Sequence, residues 1–129
     1  MRIEINNPVY LLLKVIEMED TLPSWNFEVL IKKERIFDSV IHKNTVWITQ
    51  EDLKIFLDRL EKDDVAELHD MSNDFSIELF KKDNKHQFNI RSKAQDNSGE
   101  CFELTYTTKI NFEITHQVKE NFLSIKEIF

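Results

Sequence analysis

Alternating apolar and polar residues recur along the chain and predict β-strands. The apolar positions of five such runs are Trp25, Phe27, Val29 and Ile31; Phe75, Ile77 and Leu79; Phe88 and Ile90; Phe102, Leu104 and Tyr106; and Ile110, Phe112 and Ile114. A period of two gives each strand one buried side and one solvent-facing side, which is typical of antiparallel sheets. Residues 9–16 are almost continuously apolar, which favours a central strand or one that is covered on both faces.

Short polar segments separate neighbouring runs and predict hairpin turns. One runs from Lys82 to Lys85, and another runs from Gln95 to Gly99, where glycine can supply a positive φ. The Thr107-Thr108 pair predicts a further tight connection, although it lacks the Asn-Gly chemistry common in such turns. We therefore predict a meander over residues 75–115.

Apolar residues at helical spacing predict two helices. Thr49 followed by Asp52 resembles a capping box at the start of the first helix, with Asp in place of Glu or Gln. The two stripes are Leu53, Phe56, Leu57 and Leu60 in the first helix, and Val118, Phe122, Ile125 and Phe129 in the second. Each stripe is expected to pack on a sheet.

These elements predict an α+β fold: a largely antiparallel, twisted sheet of about seven to eight strands with two packed helices. The chain has 129 residues, which fits one domain of common size. One glycine and two prolines are present and no linker-like stretch occurs, so we predict a single domain over residues 1–129.

The charge is negative overall and unevenly distributed. The net charge is −7; residues 51–74 hold nine acids and three bases, whereas residues 81–93 hold five bases and one acid. This acidity disfavours nucleic acid as a partner, because phosphates require neutralisation by Lys and Arg, and it favours a basic protein partner. The single Cys101, the lack of a secretion signal at the N-terminus and the short apolar runs predict a cytoplasmic protein that does not bind membranes.

Candidate catalytic groups are sparse. His69-Asp70 could form an oriented proton-transfer pair, but neighbouring residues of a strand point to opposite faces. Cys101 and His116 could form a nucleophile and base, but nothing in the sequence brings them together. The histidines lack metal-ligand spacing, and one glycine leaves no phosphate-binding loop. We therefore expect no enzyme activity, no cofactor and no metal site.

The acidic segment is the strongest candidate for a binding site. Its best candidates for partner contact are Glu61, Asp63, Asp64, Glu67 and Asp70. Carboxylates can cover the Lys- and Arg-rich groove that a nuclease presents to phosphates, and complementary charge speeds such an encounter. The alternative interpretation is a helix end and following loop that are merely solvated.

Three stretches resemble the WapI-type immunity proteins, the small intracellular partners of contact-dependent toxins. The first is residues 24–29, in which Trp25 opens an alternating strand; the second is residues 45–60, a strand that leads into the capped helix. The third is residues 110–114 followed by 118–129, a last strand and terminal helix. The resemblance covers nearly the whole chain and rests on hydrophobic patterns. It implies an α+β fold and toxin neutralisation by binding, and it transfers no catalytic or interface residue.

The sequence therefore predicts an immunity protein that binds a cognate toxin, for which a nuclease is one candidate, and occludes its active surface. Two alternatives remain open. One is a housekeeping protein-binding or assembly subunit, in which a sheet edge or open face pairs with another chain. The other is a small enzyme that uses His69 or the Cys101 and His116 pair.

Overall fold

In the computed structural model, which describes residues 1–63 and 65–129, the chain folds into eight β-strands and two α-helices. The strands are β1 (Arg2–Ile5), β2 (Tyr10–Glu19), β3 (Ser24–Glu34), β4 (Ser39–Thr49), β5 (Ala66–His69), β6 (Phe75–Lys82), β7 (Lys85–Gln95) and β8 (Cys101–Ile110). The helices are α1 (Gln50–Asp63) and α2 (Phe112–Leu123), and a short 3-10 helix (Lys126–Ile128) follows. Among the described residues, no helix is long and apolar enough to cross a membrane.

The strands form two antiparallel sheets of four. The first sheet has the order β1-β2-β3-β4 and the second has the order β5-β6-β7-β8, with α1 connecting them. The predicted α+β class with eight strands and two helices is confirmed. The division into two sheets could not be predicted, because an alternation of period two is the same whichever sheet a strand joins.

One hydrophobic cluster is shared by both sheets and both helices. All four apolar residues of the α1 stripe are buried, as predicted, and so are Val118, Phe122 and Ile125 of the second stripe. The predicted second helix is too long, however, because α2 ends at Leu123, and Phe129 is 40% exposed. Phe56 of α1 meets Phe122 of α2 edge to face, with ring centroids 5.1 Å apart. Such a contact adds about 0.5–1.5 kcal/mol to the burial of the two rings.

The two sheets meet where β4 passes β7. His42 Nε2 and Ser92 Oγ lie 2.8 Å apart, and Asn44 Nδ2 donates to the Lys93 carbonyl at 2.9 Å. Ser92 is fully buried. Polar groups buried between sheets require partners, and these two contacts supply them.

Several turns and caps form as predicted. Thr49 Oγ1 accepts a hydrogen bond from the Asp52 amide at 3.1 Å and caps α1. Asp83 and Asn84 have φ values of 55° and 64° in the β6–β7 turn, and Gly99 has a φ of 87° in the β7–β8 turn. These left-handed conformations favour Gly, Asn and Asp, which are the residues the chain places there.

The predicted strand at residues 110–115 is wrong, as is the connection at Thr107-Thr108. Strand β8 continues through both threonines, and α2 begins at Phe112. The reason is a helix cap that the alternation concealed: Asn111 Oδ1 accepts the Ile114 amide at 2.8 Å. Phe112 is consequently 80% exposed and does not face a core.

Replacing the cap tests this helix start. Asn111→Ala leaves the Ile114 amide without its acceptor and should lower the free energy of unfolding by about 1 kcal/mol, measured by urea denaturation. Asn111→Asp retains a carboxylate oxygen at the helix N-terminus and should remain close to wild type. An alanine variant as stable as wild type would show that the cap has no role.

The contact between the sheets should be sensitive to pH. Burial lowers the pKa of His42, so the folded state favours the neutral ring. The resulting stability is present above the unfolded pKa of about 6.5 and is lost as the pH falls below it. The loss of unfolding free energy from about pH 7.5 to about pH 5.5 should be smaller in His42→Gln than in wild type. Parallel pH profiles for the two proteins would contradict this role.

Candidate functional site

The acidic segment is divided between the end of α1 and strand β5. Glu61 and Asp63 lie exposed in the last turns of α1, and Glu67 lies exposed in β5. Asp64 falls outside the described residues. Asp70 differs from the other described candidates because it is only 7% exposed.

Packing explains why these carboxylates face solvent. Helix α1 turns its apolar stripe toward the core and packs against β5, so its acidic positions remain outside. In β5, Ala66 and Leu68 point inward, and Glu67 lies between them on the opposite face. Strand β5 was not predicted, because it has only four residues and contains or adjoins the charged residues Glu67 and Asp70.

Glu67 faces a second acid across the sheet. The β5–β6 register places Glu67 directly opposite Glu78, and neither residue is buried. Like charges at opposed positions destabilise a sheet. We name Glu61, Asp63, Glu67 and Glu78 the acidic surface. The sequence did not predict Glu78 as part of this surface. The alternation in β6 places Glu78 on the solvent-facing side, but it does not indicate that β6 pairs with β5.

A shallow groove of about 240 Å³ lies within the acidic surface. It is lined by Arg59, Val65, Ala66, Glu67, Glu78, Leu79 and Phe80. Val65 is 42% exposed there, so the groove combines an apolar floor with a rim that carries Arg59 as well as the carboxylates of Glu67 and Glu78. A side chain with an aliphatic stem and a cationic end fits this combination, because its stem can cover apolar surface while its charge meets a carboxylate.

The carboxylates of the acidic surface differ in how far other groups already engage them. Glu61 accepts a hydrogen bond from Lys126, which also lies 3.5 Å from Asp58, and these acids raise the pKa of Lys126. Glu67 is joined to His69 Nε2. The contact with Lys126 therefore reduces the charge that Glu61 can offer a partner.

Asp70 has a structural position. Its Oδ1 accepts the backbone amides of Asp74 at 2.7 Å and Phe75 at 3.0 Å. These bonds hold the turn between β5 and β6, and thereby position the edge that carries Glu67. We therefore leave Asp70 outside the acidic surface, although the sequence made it a candidate contact.

The candidate catalytic pairs are not assembled. His69 bonds to Glu67, whereas Asp70 bonds to backbone amides. Cys101 opens β8 and His116 lies in α2 beyond the other end of that strand, which spans about 30 Å. Within residues 1–63 and 65–129, no group of three or more His, Cys, Asp or Glu side chains is arranged to hold a metal ion.

Removing the Asp70 carboxylate separates its role from that of the exposed acids. Asp70→Ala leaves two amides without their acceptor and should cost about 3 kcal/mol of unfolding free energy, measured by urea denaturation. Glu78→Gln removes an exposed charge and should change stability by no more than about 0.5 kcal/mol. Equal, small effects for both variants would contradict a structural role for Asp70.

Comparisons with known proteins do not assign this chain to a family. No family model matches it, and neither the search of curated proteins nor that of solved structures finds a match. The resemblance to WapI-type immunity proteins therefore stays a hypothesis, and any function has to be argued from the chemistry of the surface.

Proposed function

We propose that this protein is an immunity protein that binds a basic toxin and occludes its active surface through the acidic surface. The observation that carries the proposal is the opposition of Glu67 on the edge strand β5 and Glu78 on its neighbour β6, beside a groove with an apolar floor. A pair of like charges costs stability in the free protein, and the contact of His69 with Glu67 involves only one of the two acids. A partner that brings cations to this pair removes that repulsion on binding.

A nuclease is the toxin class that fits this chemistry best. Its active groove has to present Lys and Arg side chains to phosphates, and those cations can instead meet Asp63, Glu67 and Glu78. The exposed aliphatic surface of Val65 offers contact to the stems of the same side chains. The complex would form in the cytoplasm, with no nucleic acid, metal or cofactor required.

Electrostatic complementarity acts mainly on the association rate. Oppositely charged patches raise the rate of productive encounter, and salt reduces this gain because it screens the charges. The acidic surface combines the end of α1 with strands β5 and β6. We therefore expect fast, salt-sensitive association with the toxin.

Charge reversal tests the acidic surface. The first step is to establish whether a neighbouring reading frame encodes a large secreted protein. Its C-terminal domain, produced in a catalytically inactive form, then serves as the binding partner. Asp63→Lys, Glu67→Lys and Glu78→Lys together should slow association about tenfold or more at low salt and flatten its salt dependence, measured by stopped-flow fluorescence.

A matched control separates local from global charge. Glu17→Lys, Asp20→Lys and Glu34→Lys make the same change in net charge at exposed positions of the first sheet and its turns. This variant should associate nearly as fast as wild type and should still rescue cells that express the active toxin. If both triple variants behave alike, the acidic surface is not the docking site; if wild type itself fails to rescue, the proposed function is wrong.

A further inference from the structure

Four strands lie at sheet edges, and three of them are short or covered. Strands β1 and β5 have four residues each. Strand β4 is covered along part of its length, where the Trp47 carbonyl accepts the Met71 amide at 2.8 Å and Asn44 reaches the Lys93 carbonyl. Short length and cover are the usual means by which proteins keep sheet edges from pairing with another chain.

Strand β8 is the long edge without such protection. It has ten residues and pairs only with β7 among the described strands. Its register with β7 runs without a shift from Ile110 to Cys101, unlike β2–β3, where the register shifts between Val15 and Glu17. The strand contains neither proline nor glycine, and Phe102 near its start is 66% exposed. Its two charged residues, Glu103 and Lys109, oppose the addition of another strand unless that strand places opposite charges beside them.

The residues of β8 complement each other under twofold symmetry. Two copies of β8 can pair antiparallel when a twofold axis perpendicular to the sheet relates them. Opposed side chains must then lie on the same face of the sheet, so the axis passes beside one residue, which pairs with its own counterpart. An axis at Tyr106 places Glu103 opposite Lys109 of the second copy, and Lys109 opposite Glu103. The same register sets Phe102 opposite Ile110 at both ends. The two charge pairs are favourable cross-strand contacts, whereas Ile110 is already buried in its own protomer and leaves little surface for Phe102.

The space beside β8 suits this register. A groove of about 350 Å³ lies between the middle of β8 and the first sheet. Its lining includes the apolar residues Val9, Ile31, Val40 and Leu104, together with Tyr106. Tyr106 turns toward this side, where its hydroxyl donates to the Pro8 carbonyl at 3.4 Å. The second copy's Tyr106, placed directly opposite, would enter the same groove.

We propose that this protein forms a symmetric homodimer by antiparallel pairing of β8 with β8 of a second copy, centred on Tyr106. The two second sheets then form one continuous sheet of eight strands. This inference goes beyond the proposed function and does not depend on it. Since β5 and β8 are opposite edges of the second sheet, the dimer leaves both acidic surfaces free and presents them at its two ends.

A charge swap tests the dimer and its register together. Glu103→Lys or Lys109→Glu alone places like charges opposite each other twice, and each should raise the dimer dissociation constant about tenfold or more. The double variant Glu103→Lys with Lys109→Glu restores both pairs and should dimerise like wild type. The mass of the full chain is measured by light scattering over a concentration series, and circular dichroism checks that each variant is folded.

These measurements distinguish a β8–β8 dimer from a monomer in which Glu103 and Lys109 only protect the sheet edge. If Glu103 and Lys109 only keep the edge soluble, wild type is monomeric throughout the series, and the proposal is overturned. Single variants as dimeric as wild type, or a double variant no better than the singles, overturn the register. Unchanged toxin binding by a monomeric single variant would leave the proposed function intact.

Cross-linking gives an independent measure of the register. In a Cys101→Ser background, Glu103→Cys and Lys109→Cys proteins are mixed and treated with a short thiol cross-linker. The mixture should give cross-linked dimers, because the two positions are opposed. Either protein alone should not, because its two cysteines lie about 20 Å apart along the strands. The reverse result, with cross-links in the single proteins only, would contradict pairing about Tyr106.

Discussion

The structure depends on the burial of one face of each sheet against a core that the two sheets share with α1 and α2. Because only one face of each sheet is covered, the apolar residues alternate along the strands and the opposite faces carry polar residues. Phe56 and Phe122 lie where the helices meet, and Trp25 packs against Phe129 with ring centroids 5.5 Å apart. Each fully buried large side chain, such as Phe56 or Phe122, contributes about 1.5–3 kcal/mol. This stability allows the surface to keep an unfavourable pair such as Glu67 and Glu78.

The sequence predicted the elements better than their arrangement. Alternation located the principal strands and helical spacing located both apolar stripes, since these periods follow directly from backbone geometry. Alternation gave the wrong element for Ile110 to Ile114, because the apolar residues at every second position there belong partly to the end of β8 and partly to the start of α2. The decisive signal there was Asn111, whose side chain caps α2. The separation into two sheets depends on contacts distant in sequence, such as His42 with Ser92, which local patterns do not contain.

The candidate site was predicted in part. Three acids of the charge run, Glu61, Asp63 and Glu67, are exposed. Charge alone could not distinguish them from Asp70, whose carboxylate accepts backbone amides inside the β5–β6 turn. Glu78 lies outside the run and joins the acidic surface only through strand pairing. Composition therefore indicates that a surface is acidic. Which residues belong to that surface depends on strand register and burial.

The shared core also connects the two proposed binding surfaces. It holds the second sheet with its acidic edge at β5 and its open edge at β8, so both surfaces depend on the same packing. Residue-resolved amide hydrogen exchange tests this dependence most directly. The slowest amides of β3 in the first sheet and β7 in the second should open with the same free energy, equal to that of global unfolding. A clearly lower opening free energy for one of the two sheets would show that they do not rely on a common core.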